Sequence, residues 1–166
     1  MLKDLIYSSS IDEKINHFKD NLIKECVEQR YQIKNKGSFF LRSKYRDNLY
    51  NIFINEAKKK LNKFTLKNMD FEIWCYISDN EFNDTGWHNH IEKATINSVM
   101  YLVTQNKGID FKLNHEQLHL KPKQGEMLIF PAFLMHCPHP SKTEKRITLN
   151  LELLCNETGK EIFNVQ

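Results

Sequence analysis

The apolar residues of this chain change their spacing near position 67, and that change limits what it can fold into. Before it they recur every three or four residues. Ile11, Ile15, Phe18, Leu22 and Cys26 form one such stripe, the pattern of a helix with a single buried face. Ser8, Ser9 and Ser10 offer N-caps ahead of Ile11, and Glu13 follows Ser10 at capping-box spacing, so the first helix is expected to begin there. Lys36-Gly37-Ser38 breaks the pattern. A second helix is expected from about Lys44 to Asn62, with Leu49, Ile52, Phe53, Ala57 and Leu61 as its stripe and Tyr45 extending it. Lys58 to Lys60 read as its solvated face.

After Lys67 the spacing shortens toward two and aromatic and β-branched residues dominate. Strands are expected at Phe71 to Ser78, Thr95 to Thr104, Ile109 to Leu113, Gln117 to Leu120, Glu126 to Phe130 and Arg146 to Leu154. Between them lie a polar loop from Asp79 to Gly86 and turns at Asn106-Lys107-Gly108 and Lys121 to Gly125, with Pro131 ending a strand. Many short strands punctuated by turns predict a β-sandwich or jelly roll. With two helices in front, the expectation is one α+β, mainly β domain over residues 1–166: a helical part, 1–66, bracing one sheet of a β core, 67–166. At 166 residues the chain has no room for two ordinary domains.

Composition narrows the partners. The net charge is +3, and no dense basic cluster interleaves with aromatics, so there is no strong nucleic-acid signature. Cys26, Cys75, Cys137 and Cys155 include no C-x-x-C pair and read as buried free thiols of a reducing compartment. The N-terminus turns polar at once, with neither a signal-peptide core nor a membrane span, so a cytoplasmic protein is expected.

Six of the seven histidines fall between positions 88 and 139. His88 and His90 bracket Asn89 where the polar loop meets the strongest strand. Residues two apart on a strand point the same way, so these imidazoles can grip one metal ion; they can equally be exposed polar groups at a loop end. His136 follows an apolar strand that stops at Pro131, where a histidine can complete a site or be a satisfied structural residue. Arg146 comes ten residues later and shares a strand face with Thr148, while Ile147 and Leu149 share the other. A guanidinium on an inner face is costly without an anionic partner, and a bound carboxylate would serve; on the outer face it needs none.

Taken in order, His88-Asn89-His90, His136 and Arg146-Ile147-Thr148 resemble the Fe(II)/2-oxoglutarate-dependent dioxygenases. That superfamily carries H-x-D or H-x-E, a distal histidine and an R-x-S/T pattern. The stretch from Trp74 to Leu151 is similar to a prolyl-hydroxylase-like subgroup of phage and bacterial genomes that carries H-x-H. The resemblance implies a double-stranded β-helix, a cupin-like jelly roll. It also implies Fe(II) held by His88, His90 and His136, 2-oxoglutarate bound by Arg146 and Thr148 with Tyr101 donating a hydrogen bond, and O2 as oxidant. The implied reaction hydroxylates a substrate with release of succinate and CO2, in the host cytoplasm if the gene is a phage's. The chain departs from the main pattern at position 90, where the acidic ligand is absent. His90 can replace it, Glu92 can supply it from two residues on, or the chemistry is lost. An all-histidine triad also suits Zn(II) or Ni(II).

His115-Glu116-Gln117-Leu118-His119 matches the zinc-protease H-E-x-x-H, which needs a helix. Gly108 and Pro122 confine the segment, and its alternation predicts a hairpin instead. His139, between two prolines, reads as a loop residue, Cys137 as packing, and Trp87 as a wall of the site or ordinary core. The rival readings are a cupin-like dioxygenase without 2-oxoglutarate and a non-catalytic jelly-roll module. The substrate (a protein side chain, a nucleobase or a small metabolite) and the oligomeric state are not legible in the sequence.

Overall fold

The computed structural model describes residues 1–34, 37–67, 71–79, 86–104, 107–139 and 145–165. Lys36, the tip of the polar loop at 80–85 and Asn106 lie outside these residues. The elements run β1 (Tyr7–Ser10), α1 (Asp12–Ile15), α2 (Lys19–Gln32), β2 (Ser38–Phe40), α3 (Arg46–Lys60), β3 (Glu72–Ser78), β4 (Ile96–Val103), β5 (Ile109–Leu113), β6 (Glu116–Leu120), β7 (Glu126–Pro131), β8 (Met135–Pro138), β9 (Arg146–Leu153) and α4 (Gly159–Ile162). The strands form two antiparallel sheets, one in the order β1-β7-β4-β9-β3-β2 and one in the order β6-β5-β8.

Strand alternation sorts the side chains of the larger sheet. Met127 and Ile129 of β7, Met100 of β4 and Ile147, Leu149 and Leu151 of β9 join one apolar cluster with Leu22 and Cys26 of α2 and Leu49 and Phe53 of α3. Leu128 and Phe130 of β7 and Val99 and Tyr101 of β4 point the other way and join Ile109 and Phe111 of β5 in a second cluster. Each fully buried Leu or Ile contributes roughly 1.5–3 kcal/mol relative to exposure. The apolar face of β9 lies in the first cluster, and its other face carries Arg146, Thr148, Asn150 and Glu152.

The N-terminal part departs from expectation. Ser8 to Ser10 do not cap a helix; they lie in β1, which pairs with β7 from Tyr7↔Ile129 to Ser10↔Glu126. The edge of β7 carries unpaired backbone groups, and satisfying that row outweighs a single cap. Ile11 becomes the N-cap of α1 with no side-chain hydrogen bond. The expected single helix is interrupted between Ile15 and Lys19, although Ile11, Ile15, Phe18, Leu22 and Cys26 are all buried as the stripe requires. The second helix falls within its expected range, and its Leu49, Phe53 and Ala57 are fully buried. None of the described helices is long and apolar enough to cross a membrane.

Candidate metal centre

His136 sits on β8, whose backbone pairs with the segment before β4. The His88 N–H donates to the His136 carbonyl at 3.0 Å and the His136 N–H returns to the His88 carbonyl at 2.9 Å. His90 is fixed separately, its N–H donating to the Ala132 carbonyl at 2.8 Å before the chain turns into β4. His88 thus forms only an isolated bridge, and His90 lies outside any strand, so simple strand alternation does not bring the rings together. Main-chain bonds to the Ala132–His136 segment do. The side-chain ligand atoms of His88, His90 and His136 lie within 4.8 Å of one another.

The ring nitrogens divide in the same way in all three. Nδ1 of His88 faces the Gly86 carbonyl at 2.9 Å, Nδ1 of His136 faces the Leu134 carbonyl at 3.1 Å, and Nδ1 of His90 faces a carboxylate oxygen of Glu152 at 2.7 Å. These oxygens accept hydrogen bonds, so each Nδ1 carries a proton and Nε2 is the nitrogen left to hold an ion. Nε2 of His90 and Nε2 of His136 face each other at 3.3 Å. Burial, followed by the neighbouring His88, depresses His136 to about 3, so it brings no proton to that contact. Burial also lowers His88, against the pull of its hydrogen bond to the Gly86 carbonyl. Two nitrogens about 2.1 Å from one ion and at right angles lie about 3.0 Å apart, close to the spacing seen. The donor set therefore fits a divalent cation.

The three imidazoles open into a cavity of about 350 Å³ whose far wall is β9. Arg146, Thr148, Asn150 and Glu152 line it, the alternate residues of that strand. Arg146 is 2 % exposed. Its guanidinium carbon lies 5.3 Å from the Tyr101 ring centre, and its Nη1 donates to the Gly108 carbonyl at a long 3.5 Å. Among the described residues it forms no ion pair with a carboxylate. Burial pushes the Tyr101 hydroxyl up to about 12 against the pull of Arg146, so it stays a donor.

Several sequence candidates fall elsewhere. Glu92 is exposed and outside the histidine cluster. Trp87 is 41 % exposed and is not part of the core. Cys137 is buried. The H-E-x-x-H segment is the β5–β6 hairpin, with Asn114 at its turn in the left-handed region at φ 53°, so the helical geometry of a protease is absent. His119 and His139 hydrogen-bond the two oxygens of Asp110 at 2.6 and 2.7 Å, a second cluster with metal-ligand spacing. Sequence reasoning passed over Glu152. Its signal was present: alternation along Arg-Ile-Thr-Leu-Asn-Leu-Glu places it on the face of Arg146 and Thr148.

The two-sheet, mainly β fold is shared with solved prolyl hydroxylases. A prolyl 4-hydroxylase from Phytophthora capsici matches with a TM-score of 0.66 at 12 % identity, over 95 % of this chain and 61 % of that one. One from Pseudomonas putida matches with a TM-score of 0.67 at 13 % identity, over 95 % of this chain and 100 % of that one. A prolyl hydroxylase from Trichoplax adhaerens, bound to a peptide of hypoxia inducible factor, matches with a TM-score of 0.61 at 10 % identity, over 91 % and 84 %. This chain is similar to them in fold; no family model matches it, and no curated protein matches it in sequence.

Proposed function

We propose that this chain is an Fe(II)- and 2-oxoglutarate-dependent oxygenase of the H-x-H subgroup. Its sheets form a double-stranded β-helix braced by the N-terminal helices, and it acts in a cytoplasm. The observation that carries this reading is a single cavity holding both halves of such a site. One half is three imidazoles with converging lone pairs; the other is a buried guanidinium with no carboxylate partner among the described residues. The likeness in fold to prolyl hydroxylases supports it.

Fe(II) with 2-oxoglutarate and O2 supplies the oxidation of a substrate C–H bond, with the cosubstrate leaving as succinate and CO2. The chain's own residues do the rest. His88, His90 and His136 would hold the metal. Arg146 would take the distal carboxylate in a charge-assisted pair, and the Thr148 hydroxyl could add a hydrogen bond. Tyr101, kept protonated by burial beside Arg146, would donate to the cosubstrate. Val99 and Ile109 give the cavity apolar walls that limit water. Candidate substrates are protein side chains, nucleobases and small metabolites. A cupin-like dioxygenase without 2-oxoglutarate shares the three histidines but has no use for the inward Arg146.

The test is an anaerobic titration of the apoprotein with Fe(II) and then 2-oxoglutarate, followed by the visible charge-transfer band of the chelated complex. The band is expected in the wild type and absent in His136→Ala, which loses the metal. Iron binding without a band would transfer the assignment to the cupin type. No metal binding would leave a jelly-roll module without this chemistry.

A further inference from the structure

Glu152 has no ordinary reason to be where it is. Its side chain is 3 % exposed, and it forms no ion pair with a lysine or arginine among the described residues. One oxygen receives Nδ1–H of His90 at 2.7 Å, and Oε2, also buried, has no hydrogen-bond partner among the described residues. Asn97 stands directly across from it on β4, fully buried, with both side-chain polar atoms unpartnered among those residues. A carboxylate removed from water costs several kcal/mol unless a positive charge answers it. A cation held on the other side of the His90 ring provides one, because His90 points Nε2 into the cluster shared with His136. Carboxylate, imidazole and cation in a row form a linkage that fixes the ring tautomer and raises the basicity of the ligating nitrogen.

We propose that Glu152 is a positioning residue of the metal centre. From the far side of the His90 ring it supplies the negative charge that an all-histidine triad lacks, and so sets the site's affinity for a divalent cation. This rests on the reading of the three histidines as metal ligands. It accounts for the absence of an acidic residue at position 90: the charge has moved from the ion's own ligand shell to the next residue out. It also accounts for the burial of an otherwise uncompensated carboxylate.

The experiment measures Fe(II) affinity anaerobically by chelator competition, and separately the melting temperature of the metal-free protein. All samples carry His119→Ala, which disables the surface cluster of Asp110, His119 and His139 and leaves one site to count. Glu152→Gln keeps a hydrogen-bond acceptor for Nδ1–H and removes the charge. Its affinity is expected to fall roughly 10–100-fold, while the metal-free protein melts no lower than its parent, because an unanswered buried charge has gone. Glu152→Asp retains the charge and is expected to bind more tightly than Glu152→Gln, which keeps the question answerable if the latter folds poorly. Unchanged Fe(II) affinity in Glu152→Gln, with the parent binding normally, overturns the role of Glu152 alone. A parent that binds no Fe(II) overturns the metal-centre reading and this inference with it. A metal-free Glu152→Gln that melts well below its parent makes the residue structural and also overturns the inference.

Discussion

Replacing Arg146 by methionine should weaken the binding of 2-oxoglutarate and at the same time strengthen the empty fold. The side chain is 2 % exposed, its hydrogen bond to the Gly108 carbonyl spans 3.5 Å, and no described carboxylate pairs with it. Methionine fills a similar volume without the charge. Exchanging a buried ionic group for a well-packed apolar one is neutral or stabilising by about 1–4 kcal/mol. The lost contact with the Tyr101 ring returns about 0.5–2 kcal/mol of that. The net should be a melting temperature unchanged or raised by a few degrees, since about 1 kcal/mol moves a domain of this size by roughly 2–4 °C. Binding should move the other way. Two charge-assisted hydrogen bonds at about 1.5–3 kcal/mol each amount to roughly 10²- to 10⁴-fold in the dissociation constant of 2-oxoglutarate. Thermal melts of the apoprotein and calorimetric titration of the metal-loaded protein read the two effects, with Fe(II) affinity as the control that should stay put. A variant that melts much lower yet binds 2-oxoglutarate normally would refute the argument, because Arg146 would then be a structural residue with an unrecognised partner.

Two further predictions concern the scaffold. The Glu56 carboxyl is pushed up by burial, but hydrogen bonds from Lys14 and Lys59 prevail and hold it at about 2, against an ordinary 4.5. Its folded-state pKa lies below its unfolded one, so the stability it lends is full above about pH 4.5 and is lost as pH falls toward 2. That amounts to at most about 3 kcal/mol, and denaturant midpoints of Glu56→Gln should be flatter than wild type across this window. In Gly108→Ala the added methyl would overlap the Leu120 carbonyl and meet the His119 ring at 2.6 Å. Since the Leu120 obstacle is backbone, the β5–β6 hairpin must shift at a cost of about 1–3 kcal/mol, visible as a lower melting temperature; an unchanged melt would contradict the packing described here.

Legibility in the sequence followed the range of the interactions. The strand with Arg146 and Thr148 on one face and Ile147 and Leu149 on the other was readable because alternation is local, and the same rule reaches Glu152. The hairpin reading of His115 to His119 rested on equally local evidence. What was missed depends on distant partners. Ser8 to Ser10 look like helix caps until the open edge of β7 is known, and that edge lies over a hundred residues away. Strand β8 is four residues long and exists because β5 pairs with it. Two local signals were also passed over: Glu152, and the capping box of α4 in Thr158-Gly-Lys-Glu161, which caps a helix of a single turn. The meeting of His88 with His90 was anticipated from strand alternation, whereas the rings are brought together by separate backbone bonds.

The reciprocal backbone bonds between His88 and His136 have a thermodynamic consequence. In the proposed metal centre, main chain would join the two residues whatever the side chains do, so the second imidazole would be present at high effective concentration when the first met an ion, a chelate effect built into the backbone. Much of the entropy of assembling such a ligand set would be spent during folding, when the ladder forms, and not again on encounter with a metal. Such a clasp demands no particular residue types around it beyond the ability to extend, so sequences can drift far while the spacing of the two rings is preserved.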